Sequence, residues 1–190
     1  MKHYEKELPA GYREAFAFDA ADKKTGLRLN LLAAVLTAGL LAALALIIRP
    51  GSLLEGMSIV RGLGVVVTML AYIVLHELVH GAAYKLLTGE KLTFGFTATV
   101  AYCGVPHIYV YRTTALISLL APFCVFTLVF GGLTLALAQP WDKMCAALLL
   151  AIHVGGCAGD LYDAYLYMTR FRDPRTLMRD IGPKQTFYLP

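Results

Sequence analysis

The chain has 190 residues, of which 58% are hydrophobic, and its mean hydropathy is +0.62. An average soluble domain has only about 45–50% apolar residues, so this composition argues against an ordinary soluble protein and indicates a membrane protein. The formal net charge of +4 is small and concentrated towards the two ends of the sequence, which excludes a basic nucleic-acid-binding stripe as the basis of function.

Four long apolar runs predict four membrane-spanning helices, at residues 29–48, 63–84, 113–138 and 144–167. The first run ends at Arg49 and Pro50, where a proline cannot continue a helix. Residues 1–28 are polar and mixed in charge, unlike a cleavable signal peptide, so we expect the first span to be retained. The predicted fold class is therefore an all-α membrane protein with four transmembrane helices, forming a single domain over residues 1–190.

The distribution of basic residues predicts the topology. About fourteen of the 17 Lys and Arg flank the spans on the side that holds both ends of the chain, and about three lie on the other side. Because cytoplasmic flanks are enriched in Lys and Arg, we expect both termini to be cytoplasmic. The expected location is a bacterial cell membrane, which the protein crosses several times.

A β-hairpin is predicted between the second and third spans, over residues 92–111. Apolar residues alternate with Thr and Gly from Leu92 to Val100, which is the period of a strand. Turn residues follow at 103–106, and the segment His107–Tyr111 is again rich in β-branched and aromatic residues. We expect this hairpin at the cytoplasmic interface.

The second span contains the sequence HELVH at residues 76–80, which matches HExxH. Two histidines four residues apart on a helix lie about 40° apart around it and one turn along it, so His76 and His80 can bind one zinc ion. Glu77 then lies beside the metal, where it can act as the base that takes a proton from the attacking water. Such polar residues are costly in hydrocarbon, which favours a functional site over a structural polar cluster.

A catalytic zinc ion usually has three protein ligands, so one more is expected from another span. Asp160 in the fourth span is predicted at about 25 Å of helix depth, between the about 22 Å and 28 Å of the two histidines. Asp163 lies about one turn deeper and is a candidate for the ligand or for a group that supports it. His153, two turns before Asp160, is an alternative ligand or a hydrogen-bonded core residue.

The remaining histidines and the cysteines are interpreted as structural. His3 lies in the polar N-terminal segment and His107 in the predicted hairpin, and both are expected at the surface. The four cysteines include no CxxC pair and are expected to pack as small hydrophobic residues; they are Cys103, Cys124, Cys145 and Cys157.

The chain resembles the DUF3267 family of zincin peptidases, through HELVHG in a membrane helix, the β-rich segment and HVGGCAGDLYDAY in the fourth span. The resemblance extends from LPAGYREAF at residues 8–16, through RTTALISLLAP at residues 112–122, to the final FYLP. It implies a distant relationship to the site-2 intramembrane proteases, in which a later membrane aspartate is the third zinc ligand. This role corresponds to Asp160, although Ala158-Gly159-Asp160-Leu161 replaces the Asn-Pro-Asp-Gly or Leu-Asp-Gly context of those enzymes.

The resemblance also implies a substrate class and a use for the hairpin. Site-2 proteases cleave membrane proteins and use a membrane-associated β element, whose edge can hold an unwound substrate by main-chain hydrogen bonds. The expected partners are therefore a membrane protein or peptide substrate and the lipid bilayer, with Zn²⁺ as cofactor and no nucleic acid. A hairpin that only seals the cytoplasmic mouth is the alternative use.

Three other functions remain open at this level: a non-catalytic metal carrier or sensor, a haem protein using His76 or His80 with His153, and a catalytically silent relative that only binds membrane proteins. The sequence leaves the oligomeric state open.

Overall fold

A computed structural model describes residues 2–47, 58–97 and 101–190 of the chain. The helices are α1 (Lys23–Ile47), α2 (Ile59–Thr88), α3 (Arg112–Ala136), α4 (Pro140–Gly156) and α5 (Ala158–Thr169). The strands are β1 (Tyr4–Glu5), β2 (Arg13–Asp19), β3 (Thr93–Phe96), β4 (Ala101–Gly104), β5 (Tyr109–Tyr111), β6 (Leu177–Asp180) and β7 (Lys184–Leu189).

Local sequence signals explain where helix α2 begins and ends. The Ser58 hydroxyl accepts a hydrogen bond from the Arg61 N–H at 3.3 Å, which satisfies one of the unpaired donors of the first turn. After Thr88 the chain reaches Gly89 with a φ of +70°, a left-handed conformation that glycine adopts at low cost and that commonly ends a helix. The resulting 30-residue helix carries HELVH in its second half.

Within the described residues three helices, α1, α2 and α3, are long and apolar enough to cross a membrane, and α4 with α5 would make a fourth span if this broken pair is counted as one. Large apolar side chains on these helices are exposed, including Val67, Leu70 and Leu128. A soluble monomer rarely exposes so much contiguous apolar surface, so the protein is a membrane protein.

The predicted fourth span was wrong in one respect, because residues 144–167 do not form a single helix. Helix α4 ends at Gly156, Cys157 has φ −77° and ψ 7°, and α5 starts at Ala158. The Cys157 N–H donates to the His153 carbonyl, which closes the last turn of α4. Gly155 and Gly156 have the low helix propensity that allows such a break. The predicted end of the first span, at Ile48 to Pro50, lies outside the described residues.

The chain divides into two compact units. The first, here called the site unit, comprises Met1–Leu29, Leu75–Pro122 and Gly159–Pro190, and the second comprises Asn30–Val74 and Phe123–Ala158. The single-domain prediction for residues 1–190 stays a prediction.

The site unit contains a five-stranded antiparallel sheet in the order β1-β5-β6-β7-β2. Its strands come from both ends of the chain, so that Phe16 of β2 lies opposite Phe187 of β7. Together with the ends of the helices, the sheet buries an apolar core. The core residues are Tyr84, Val105, Ile108, Val110, Ala115, Leu119, Leu166, Tyr167, Phe171, Met178 and Phe187.

The predicted all-α class with one small hairpin therefore needs correction: the part of the chain that the structure describes is mostly helical but contains two antiparallel sheets. Strand β3 of the predicted hairpin is present, but it pairs with β4 (Ala101–Gly104), with Phe94 opposite Cys103. The segment predicted as the second strand contains β5, which instead joins the five-stranded sheet between β1 and β6. Residues 103–104, predicted as a turn, are strand residues, and residues 98–100 lie outside the described part of the chain.

Candidate metal centre

Helices α2 and α5 bring His76, His80 and Asp160 together within the site unit. The Nε2 atoms of the two histidines lie 3.2 Å apart. His76 Nε2 lies 3.4 Å from Asp160 Oδ2, and His80 Nε2 lies 3.4 Å from Asp160 Oδ1. Both histidines are buried, and the ligand atoms of all three residues lie within 4.8 Å of one another.

A backbone contact fixes the tautomer of His80. Its Nδ1 lies 2.8 Å from the carbonyl oxygen of Ser118 on α3. Because a carbonyl can only accept a hydrogen bond, Nδ1 carries the proton and neutral His80 presents the lone pair of Nε2 to the site. A second hydrogen bond of this kind orients most histidine ligands of metals.

The site concentrates electron pairs in a way that calls for a cation. An imidazole lone pair, a second imidazole nitrogen and a carboxylate all converge, and a cation between them would be attracted to all three. A tetrahedral zinc ion with bonds of about 2.0–2.1 Å has ligand atoms about 3.3 Å apart. The separations of 3.2, 3.4 and 3.4 Å fit that geometry, so the donor set suits zinc.

Glu77 is partly buried and interacts electrostatically with His76, His80 and Asp160. Glu77 lies close to the candidate ligands because it follows His76 directly on a rigid helix. The structure thus brings together the three predicted ligands and the predicted base.

The two alternative ligands predicted from the sequence are Asp163 and His153. Asp163 is almost completely buried on α5, and its Oδ1 has no hydrogen-bond partner among the described residues. His153 belongs to the second unit, where Tyr72 Oη lies 2.8 Å from Nδ1 and Thr127 Oγ1 lies 3.2 Å from Nε2. Both ring nitrogens of His153 therefore have partners, which agrees with its interpretation as a hydrogen-bonded core histidine.

Sequence reasoning missed an acid on strand β6. Asp180 is 3% exposed and accepts hydrogen bonds at Oδ2 from the Tyr84 hydroxyl (2.8 Å) and at Oδ1 from the Gly182 N–H (2.9 Å). Burial raises the pKa of Asp180 to about 6, although these hydrogen bonds act in the opposite direction. Tyr84 follows His80 by one turn of α2, so Asp180 lies near the candidate ligands. The only local signal was the turn sequence Asp-Ile-Gly-Pro, which does not predict burial.

Cys103, on strand β4, lies in the same electrostatic environment. Burial, together with the nearby carboxyl groups of Asp180 and Glu77, raises the pKa of its thiol to about 12. Cys103 is therefore a neutral thiol, consistent with its predicted packing role. All four cysteines are free, although Cys124 is exposed.

A family model described as "Putative zincin peptidase", DUF3267, matches residues 69–173, which is more than half of the chain and includes HELVH and Asp160. The chain belongs to the DUF3267 family. A zincin is a zinc-dependent peptidase, so membership in DUF3267 supports a metallopeptidase that uses zinc. No curated protein and no solved structure matches the chain.

Proposed function

We propose that this DUF3267 protein is a membrane-embedded zinc metallopeptidase that hydrolyses peptide bonds of membrane-protein substrates near the cytoplasmic face. The observation that carries the proposal is the convergence of His76, His80 and Asp160 beside Glu77. Three protein ligands leave one position of a tetrahedral metal free for water or substrate, as a catalytic zinc site requires.

The residues of the chain divide the chemistry among them. Zinc, when bound, supplies a Lewis acid that polarises the scissile carbonyl and makes water more acidic. Glu77 accepts the proton of the attacking water and then donates it to the leaving amine nitrogen. The Ser118 carbonyl keeps the His80 ring in its ligating tautomer throughout.

The open edge of strand β3 supports the proposal that the substrate binds in an extended conformation. It pairs with β4 on one side only within the described residues, so its other edge is available for main-chain hydrogen bonds. Phe94 and Phe96 are 47% and 85% exposed, which suits an apolar segment unwound from a membrane helix. The tip of Phe94 lies against Gly81, the residue after His80.

The basic residues that flank the spans support a cytoplasmic site. Fourteen of the 17 Lys and Arg lie in residues 1–29, 75–122 and 159–190, which make up the site unit. The proposed topology therefore has both termini and the sheet in the cytoplasm.

Elemental analysis of protein purified in detergent tests the metal site. Wild type should carry about one zinc ion per chain, His80→Ala should lose it, and Asp160→Ala should bind it at least about tenfold more weakly. Asp173→Ala is the matched control, because Asp173 is a partly exposed acid of the same unit that pairs with Arg175. Wild-type protein that is folded but does not bind added zinc would refute the proposal.

Glu77→Gln separates a peptidase from a metal carrier or sensor. In a peptidase this variant keeps zinc and loses cleavage of fluorescein-labelled casein in micelles, because only the base is removed. Unchanged cleavage by the variant contradicts the proposed role of Glu77. The haem alternative is disfavoured, since the hydrogen bonds of His153 occupy both ring nitrogens.

A further inference from the structure

Asp180 connects the five-stranded sheet to helix α2. Its Oδ2 accepts a hydrogen bond from the Tyr84 hydroxyl. Its Oδ1 accepts hydrogen bonds from the Gly182 N–H and, at 3.4 Å, from the Gln185 side-chain amide. Tyr84 is 1% exposed and is held in the core of the site unit, so its hydroxyl has a fixed position. The bond between Asp180 and Tyr84 therefore sets the distance between the end of β6 and the helix turn that follows His80.

The turn between β6 and β7, which follows Asp180, packs against strand β4. The Val105 N–H donates to the Asp180 carbonyl oxygen at 3.0 Å. A methyl group at Gly104 would lie 2.7 Å from the Gly182 nitrogen, so the two backbones touch. Gly182 has a φ of +95°, and its free face packs on the ring of Tyr102. Strand β4 thus rests on the turn between β6 and β7.

Strand β4 in turn holds β3 against helix α2. The two strands pair in register, and Phe94 of β3 reaches the helix at Gly81, where a methyl group would lie 2.7 Å from the Phe94 Cζ. The contacts form a closed circuit from α2 through β3, β4, the β6–β7 turn and Asp180 back to α2. A circuit of this kind leaves the free edge of β3 little freedom relative to His80.

We propose that Asp180 is a positioning residue. Through its bond to Tyr84 and the contacts of the β6–β7 turn with β4, it keeps the free edge of β3 aligned with the candidate metal centre, so that an extended substrate reaches the metal. This inference rests on the proposed peptidase function and assigns it a determinant of substrate binding. Asp180 does not touch the reacting atoms, since its oxygens are engaged by Tyr84, Gly182 and Gln185.

Two hydroxamate probes test the inference without relying on turnover. Acetohydroxamate binds only the metal, whereas a fluorescein-labelled leucine-rich peptide hydroxamate also requires the strand edge. Binding to the zinc-loaded full chain in micelles is measured by fluorescence anisotropy, directly for the peptide and by competition for acetohydroxamate. Zinc content and melting temperature are recorded for each variant.

Tyr84→Phe removes one hydroxyl and leaves the ring in the core. We expect it to weaken the peptide probe about tenfold, because a buried carboxylate oxygen loses its partner, and to leave acetohydroxamate binding and zinc content unchanged. Tyr12→Phe is the matched control, since it removes a tyrosine hydroxyl bond to the Arg175 carbonyl at the surface of the same unit. Equal weakening of both probes, or of neither, would overturn the inference.

Conservative rescue distinguishes positioning from charge. Asp180→Asn keeps the geometry, because its oxygen accepts from Gly182 and its amide donates to the Tyr84 oxygen, so peptide binding should persist. Asp180→Ala should weaken the peptide probe like Tyr84→Phe. If Asn fails as Ala does, the inference is wrong. Failure of the peptidase proposal shows separately, as casein cleavage by Glu77→Gln at the wild-type rate.

Discussion

Replacing Asp180 with asparagine should change how stability depends on pH. The pKa of Asp180 is about 6 in the folded chain, against the ordinary aspartate value of 3.8. A carboxyl group with a raised folded pKa stabilises the fold fully below the unfolded pKa, and this contribution disappears as pH rises through the folded pKa. The difference of roughly 2 pH units corresponds to about 3 kcal/mol, lost between about pH 4 and pH 6.

Asparagine stays neutral over this range and does not lose the contribution. The Asp180→Asn variant should therefore match wild type near pH 4 and exceed its melting temperature by up to about 6–12 °C at pH 7. The assay is thermal unfolding in micelles at several pH values after treatment with EDTA, so that zinc release does not contribute. A difference that is constant with pH, or an Asn variant that is less stable at pH 7, would refute the assignment of a costly buried charge to Asp180.

Two further predictions concern packing and thiol reactivity. Gly155→Ala should lower the melting temperature by an amount equivalent to about 1–3 kcal/mol, because its methyl group would overlap Thr37 Oγ1 and lie 2.7 Å from the Ala33 carbonyl oxygen. Gly159→Ala is the control, with no atom within 4 Å of the new carbon, and equal effects of the two substitutions would contradict this packing. In a variant that retains only Cys103, maleimide labelling at pH 7.5 should be on the order of a thousandfold slower than for a thiol of pKa 9.0, since burial and the carboxyl groups of Asp180 and Glu77 together raise the pKa to about 12. Labelling should become fast after unfolding in SDS, and fast labelling of the folded protein would contradict the buried environment.

The parts of the site that the sequence predicts are those encoded by helical spacing. HELVH places two imidazoles and a carboxylate on one rigid element, and helix rise alone put Asp160 at the depth of the histidines. The 3.4 Å approaches of Asp160 to both rings agree with that estimate. Asp163 is also an aspartate and lies only one turn away, so choosing between the two required the positions of the helices relative to each other.

The sheet was harder to predict because its strands are short and their partners are far apart in the sequence. Strand β1 has two residues and pairs with Tyr109 and Val110, so neither segment has a detectable period. Residues Glu14, Phe16 and Phe18 are spaced as in a strand, but the partner strand β7 lies at the other end of the chain. Asp180 became notable only once that long-range pairing had buried it.

The pairing of Phe16 with Phe187 also bears on biosynthesis. Strand β2 cannot pair with β7 until helices α1 to α5 have been synthesised and inserted. The histidines of α2 cannot meet Asp160 until α3 and α4 have been synthesised and inserted. A nascent chain that exposes HELVH thus lacks both Asp160, the proposed third zinc ligand, and Asp180, the proposed positioning residue. The order of synthesis would keep a peptide-cleaving centre incomplete while the ribosome and translocon are still its nearest neighbours.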